Sequence, residues 1–168
     1  NEVDIAIRGT SELPDRVVAK KLTDNDFTLV AAPEYLKRHG TPKQTSDLET
    51  HSSILYRGPN GILHWQAYIN NVWYELVTKP VYISNDGLYL KRATIAGNGI
   101  ALLPRWGITQ ELERGDLIAL DMNDGLVRVS RSLNSGIYLL YLKPRYQIAK
   151  IKAAVDFLVN ELSFLESR

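Results

Sequence analysis

The chain has no cysteine, one methionine and three histidines among its 168 residues. Without thiols it forms no disulfide, no thiolate metal site and no cysteine nucleophile. His39, His51 and His64 share no helical spacing with one another, and the single carboxylate at such a spacing, Asp47 before His51, makes no set, so no metal-ligating site is expected. No Gly-x-Ser-x-Gly elbow is present. Gly97-Asn98-Gly99 follows a helical pattern and precedes a strand pattern, the reverse of a dinucleotide fingerprint. Arg57-Gly58-Pro59-Asn60-Gly61 lacks the lysine of a phosphate loop. No catalytic residue set, metal or cofactor is therefore expected. No apolar run is long enough to span a bilayer. Twenty basic residues face nineteen acidic ones, and a net charge of +1 is no footprint for nucleic acid.

What remains is ordinary for a globular chain: 45% hydrophobic and 23% charged residues, enough for a sizeable core in one domain or two small lobes. Asn1 opens almost directly on a strand pattern over residues 3–7, which points to a piece of a longer chain. Further strands are expected at Val17–Leu22, Phe27–Ala32 and Ser53–Tyr56. A short helix over Glu34–His39 ends at Gly40, and Thr45 opens a helical turn. Trp65–Ile69 and Val72–Val77 flank Asn70-Asn71, a pair that tolerates positive φ, so a hairpin is expected. A helix over Ile108–Arg114 stops at Gly115, and a strand follows at Leu117–Leu120. Asp121–Ser135 reads as an irregular loop or hairpin. Ile137–Leu142 is a strand. Ile148, Ile151, Val155, Leu158, Leu162 and Leu165 then make one helical stripe. Trp65, Trp73 and Trp106 could line a pocket, but core or lobe-edge packing is the commoner fate of tryptophan.

The central stretch, Val81–Pro104, reads as strand, capped helix, glycine stop and strand. Ser84, Asn85 and Asp86 are all cap-forming types, and Tyr89, Ala93 and Ala96 carry the helical spacing. Gly97 and Gly99 offer a left-handed stop, and Ile100–Leu103 suits a buried parallel strand. Such a βαβ unit aims a helix N-terminus past a strand's carboxyl end, where open α/β sheets bind ligands.

An ordered series runs through nearly the whole chain: Asp4-Ile5-Ala6-Ile7-Arg8, Leu13-Pro14-Asp15, Thr28 to Leu36, His39-Gly40-Thr41-Pro42 and Asp47-Leu48-x-x-His51. It continues with Asn85, Ala96 to Pro104, Leu112-x-x-Gly115-x-Leu117, and Tyr141-x-x-Pro144 before Phe157-Leu158. In number, order and spacing these motifs resemble the effector-binding domain of LysR-type transcriptional regulators.

The resemblance implies an α/β fold of two Rossmann-like lobes, like the type 2 periplasmic binding proteins, with crossovers near Phe27–Ala32 and Ile137–Leu142. Residues 1–29 plus 139–168 would form an incomplete first lobe and 30–138 the second. The helix-turn-helix that contacts DNA would be missing. A small-molecule effector would bind between the lobes. Its contacts would be Arg8 and Gly9, backbone near Ala32 and Pro33, Asn85 with Asp86, and the edge Gly99, Ile100 and Leu103. Binding would rearrange a homo-oligomer on DNA in the cytoplasm, with no membrane partner. Family domains pair side by side, which assigns an interface to Leu88, Tyr89, Lys91, Arg92 and Ile95. Asp86 departs from the usual preference for anionic effectors, because a carboxylate at a helix N-terminus repels them. A transporter's solute-binding protein and an enzyme on an α/β scaffold remain as alternatives.

Overall fold

The computed structural model describes residues 3–10, 13, 15–133 and 135–162. The chain divides into two compact units, Asn1–Asp26 with Asn134–Arg168, and Phe27–Leu133. The divisions fall a few residues before the expected ones at 29/30 and 138/139.

The first unit is a three-stranded antiparallel sheet. Strand β12 (Gly136–Tyr141) lies between β1 (Ile5–Thr10) and β2 (Val18–Asp24). Strand β1 begins later than residues 3–7 suggested. Pairing continues through Arg8↔Tyr138 to Thr10↔Gly136, so Arg8 and Gly9 lie within the strand. Ile5, Leu22, Leu139 and Tyr141 face helix α4 (Ala149–Leu162), whose Ile151 and Val155 are buried against them. Leu158 and Leu162 extend that stripe; Leu165 lies outside the described residues. Asp4 accepts a hydrogen bond from Arg145 in the 3-10 turn that leads into α4.

In the second unit the central strand is β4 (Ser52–Gly58), which pairs in parallel with β8 (Lys79–Ser84) and β9 (Ile100–Pro104). Next come β3 (Phe27–Ala31), antiparallel to β9, and β10 (Ile118–Ala119), antiparallel to β3. The short β5 (Gly61–Ile62) folds back on the end of β4, so Arg57 and Gly58 lie in a tight hairpin rather than a loop. The middle strands bury both faces. Leu29, Ala31, Leu55, Ile100 and Leu102 join the core beneath helix α1 (Pro33–His39), while Val30, Ile54, Ala101 and Leu103 join the core beneath helix α2 (Gly87–Ile95) and helix α3 (Thr109–Arg114).

The expected hairpin is present as β6 (Gln66–Ile69) and β7 (Val72–Glu75), with Asn70 and Asn71 at φ 50° and 65°. The segment after Leu120, expected as an irregular loop or a hairpin, contains a short strand that pairs with a strand distant in sequence. β11 (Leu126–Arg128) pairs with β6, Val127 is buried, and Asp124 accepts from Thr45 N and Oγ1 at 2.9 and 2.8 Å. Its polar residues are spent on contacts distant in sequence, which local patterning does not reveal. None of the helices among the described residues is long and apolar enough to cross a membrane.

Candidate functional site

The βαβ unit forms as its residues dictate, but its two strands are not neighbours, because β4 lies between β8 and β9. Of the three cap-forming residues, Asp86 is the N-cap of α2. Its Oδ1 accepts from Leu88 N at 2.9 Å and Tyr89 N at 3.2 Å. Ser84 completes β8 and accepts from Asp86 N, while Asn85 is an exposed connector. The helix amides that an anion would seek are therefore filled by the chain's own carboxylate. At the other end Gly97 takes φ 73°, the left-handed stop. Gly99 does not; it is required because a Cβ there would stand 2.7 Å from Ser52 O on β4.

Strand register separates the expected contacts. Ser53↔Ile100 and Ala101↔Val30 put Gly99, Ile100, Ala32 and Pro33 at the amino end of β4. Tyr56↔Ser84 puts Asn85 and Asp86 beyond its carboxyl end, the end toward which Leu103 also runs. Five residues of strand separate these ends by about 15 Å. Ile100 and Leu103 are themselves buried in the core, and Pro33 has no amide hydrogen to offer. At the carboxyl end lie two exposed aromatics, Tyr56 and Trp106, the second open to solvent rather than in a core.

In the first unit, Arg8, Tyr138 and Lys21 stand directly opposite one another across the three strands, on the face away from α4. The Tyr138 ring leans over Gly136, where a Cβ would come within 2.7 Å of ring Cε2. Lys21 Nζ donates to Asp24 Oδ1 at 2.5 Å. Arg8 is exposed. Tyr138 and Lys21 were absent from the motif reading. The alternation Gly136-Ile137-Tyr138 is the one local signal, and the cross-strand partners become visible only with the register. Ser11, Glu12 and Pro14, which follow β1 in the sequence, lie outside the described residues.

On α2, Leu88, Tyr89 and Arg92 are exposed, whereas Ile95 packs against the core. Lys91 turns inward and donates to Glu111 Oε1 at 2.9 Å and Gly107 O at 3.1 Å. That hydrogen bond holds the Glu111 carboxyl below the usual carboxylate range.

Known proteins resemble this chain in sequence and in fold. A model of the LysR substrate binding domain matches residues 1–163. The transcriptional regulator CrgA of Neisseria meningitidis serogroup B is 28% identical over 162 residues, 96% of this chain and 52% of that protein. The transcriptional activator TtdR of Escherichia coli K12 is 29% identical over 161 residues, 94% of this chain and 49% of that protein. The chain thus spans about half the length of these relatives. The regulatory domain of CrgA, at 26% identity, superposes with a TM-score of 0.74 over 95% of this chain and 76% of that one. AphB of Vibrio cholerae, at 23% identity, shares the fold with a TM-score of 0.76 over 94% of this chain and 51% of that one. The chain belongs to the LysR substrate-binding domain family and has its type 2 periplasmic-binding-protein-like α/β fold.

Proposed function

We propose that this chain is the ligand-sensing part of a LysR-type transcription regulator. A small molecule binds it, and a longer DNA-binding protein in the cytoplasm converts that binding into altered transcription through rearrangement of a homo-oligomer. The family match over residues 1–163 carries the reading. The relatives named as helix-turn-helix transcriptional regulators support it over a transporter's solute-binding protein or an enzyme. The two compact units support a reading as two lobes. A ligand acts only through different affinities for two arrangements of the protein.

Ligands of open α/β sheets bind beyond the carboxyl ends of the strands. That rule favours Asn85, Asp86 and the end of β9 near Leu103 in the second unit. It disfavours Ala32, Pro33, Gly99 and Ile100. The first unit's sheet is antiparallel and falls outside that rule; there the exposed Arg8, with Tyr138 and Lys21 across the strands, is the candidate. Because Asp86 already accepts from the Leu88 and Tyr89 amides, a ligand group beside it would be neutral or hydrogen-donating. For self-association, the outward residues Leu88, Tyr89 and Arg92 are favoured over Lys91 and Ile95, which are engaged within their own unit.

The test is a metabolite panel screened by calorimetry, followed by operator footprinting and transcription with the longer protein. Saturating ligand is expected to change both the footprint and transcription, and an unchanged response sinks the reading. Arg8→Gln is expected to weaken the hit by about tenfold, the loss of one charge-assisted hydrogen bond.

A further inference from the structure

At the corner where α1 meets the start of β4, a buried tyrosine bridges a histidine and a backbone amide. Tyr35 is 2% exposed and His51 9%. Ser52 N donates to Tyr35 Oη at 2.9 Å, and Oη lies 3.1 Å from His51 Nδ1. A phenol has one hydrogen to give. The Ser52 amide already donates to the oxygen, and the phenol hydrogen has a buried acceptor at His51 Nδ1 only when that ring is neutral and protonated at Nε2. Proton addition at Nδ1 turns the acceptor into a second donor aimed at the same oxygen. The phenol hydrogen then loses its buried acceptor.

We propose that the Tyr35–His51 pair is an acid-released latch, closed when His51 is neutral and opened by its protonation, which frees α1 from the first residues of β4.

The groups facing this ring act in a definite sense. Burial is the largest influence and holds the His51 imidazole below its ordinary value. His39 on α1, its ring stacked 4.6 Å from that of Tyr35, pushes the same way, and Asp47 in the preceding 3-10 turn pulls weakly upward. Asp47 is itself committed to the amides of Lys43 and Gln44 at 2.8 and 2.9 Å. A depressed folded-state value means that the unfolded chain binds the proton more readily. The latch is therefore fully stabilising above about pH 6.5, and its contribution falls as the pH drops below that toward the folded-state value. The corner it holds is a close one, since the Gly99 backbone abuts Ser52 O.

Hydrogen exchange of the intact chain tests this directly, because the Ser52 amide is one of the bridged groups. After correction for the intrinsic effect of pH, protection at Ser52 is expected to fall by about tenfold between pH 7.5 and 5.5, the effect of one buried group left unpaired. His51→Gln, which keeps an acceptor but does not titrate, is expected to remove that dependence. His39→Gln is expected to keep it and move its midpoint upward. If His51→Gln does not fold, nitrogen shifts of the wild-type His51 ring give the same reading: an Nε2–H tautomer titrating below the ordinary value. Equal loss of protection in His51→Gln overturns the proposal, as does no loss in wild type, or a His51 ring protonated at Nδ1 near neutrality.

Discussion

Single residues decide whether the central unit holds. Gly99 has no room for a side chain, since any Cβ would stand 2.7 Å from a main-chain oxygen of β4. Gly99→Ala is expected to destabilise the protein by about 1–3 kcal/mol, the range for overpacking a close contact, measured by urea unfolding. Gly40, at a positive φ of 82° that Gly99 does not share, has open space around it and carries only the conformational penalty, so its alanine variant is expected to lose less. Asp86 poses a different question. Ser84, Asn85 and Asp86 were equivalent as caps by type. Asp86 is the cap because Ser84 is committed to the β8 ladder and Asn85 joins strand to helix. Asp86→Ala is expected to cost about 1 kcal/mol and Asp86→Asn only a fraction of that, since asparagine caps equally well. A thermal melt in which asparagine is as damaging as alanine would count against the cap.

Among the elements, α2 and α3 are joined by the Lys91–Glu111 bond, set where Glu111 is 8% exposed. Lys91→Met leaves that carboxylate without its main partner, and a loss of about 1.5–3 kcal/mol is expected at pH 7. The sign with pH follows from the depressed Glu111 value. Its contribution is present above the ordinary carboxylate range and disappears as the pH falls through the folded-state value. The gap between wild type and Lys91→Met should therefore close in acid, and a gap that stays constant from pH 7 to 3 would show that Lys91 acts by packing alone. The β6–β7 hairpin offers a cleaner case. Asn71 holds φ 65°, which alanine tolerates poorly and glycine readily. Asn71→Ala is expected to cost about 1 kcal/mol and Asn71→Gly nothing, read from melting temperatures.

At the scale of the whole molecule, the second unit is one continuous segment, Phe27–Leu133, with its own sheet and core on both faces. A chain of those residues alone is expected to fold, giving a dispersed amide spectrum and a cooperative melt; a collapsed spectrum would refute this independence. The first unit is assembled from both ends of the chain, Asn1–Asp26 and Asn134–Arg168, and no continuous piece contains it.

The amino-acid sequence by itself determined most of the elements, because their signals are local. The α4 stripe, the Asn70-Asn71 turn, the stop at Gly97 and the doubly buried strands all follow from spacing and backbone preference over a few residues. The ordered motifs likewise carried the family. Tertiary structure alone decided what depends on register. It threaded β4 between β8 and β9 and recruited residues 126–128 into a strand. It set Tyr138 between Arg8 and Lys21, and brought Tyr35 to His51. It also divided the expected ligand contacts of the second unit between opposite ends of one sheet. Residues grouped as one expected contact set can lie a strand's length apart, and two far apart in sequence can lie one ladder rung from each other, because hydrogen-bonded pairing follows the sheet and not the order of the chain.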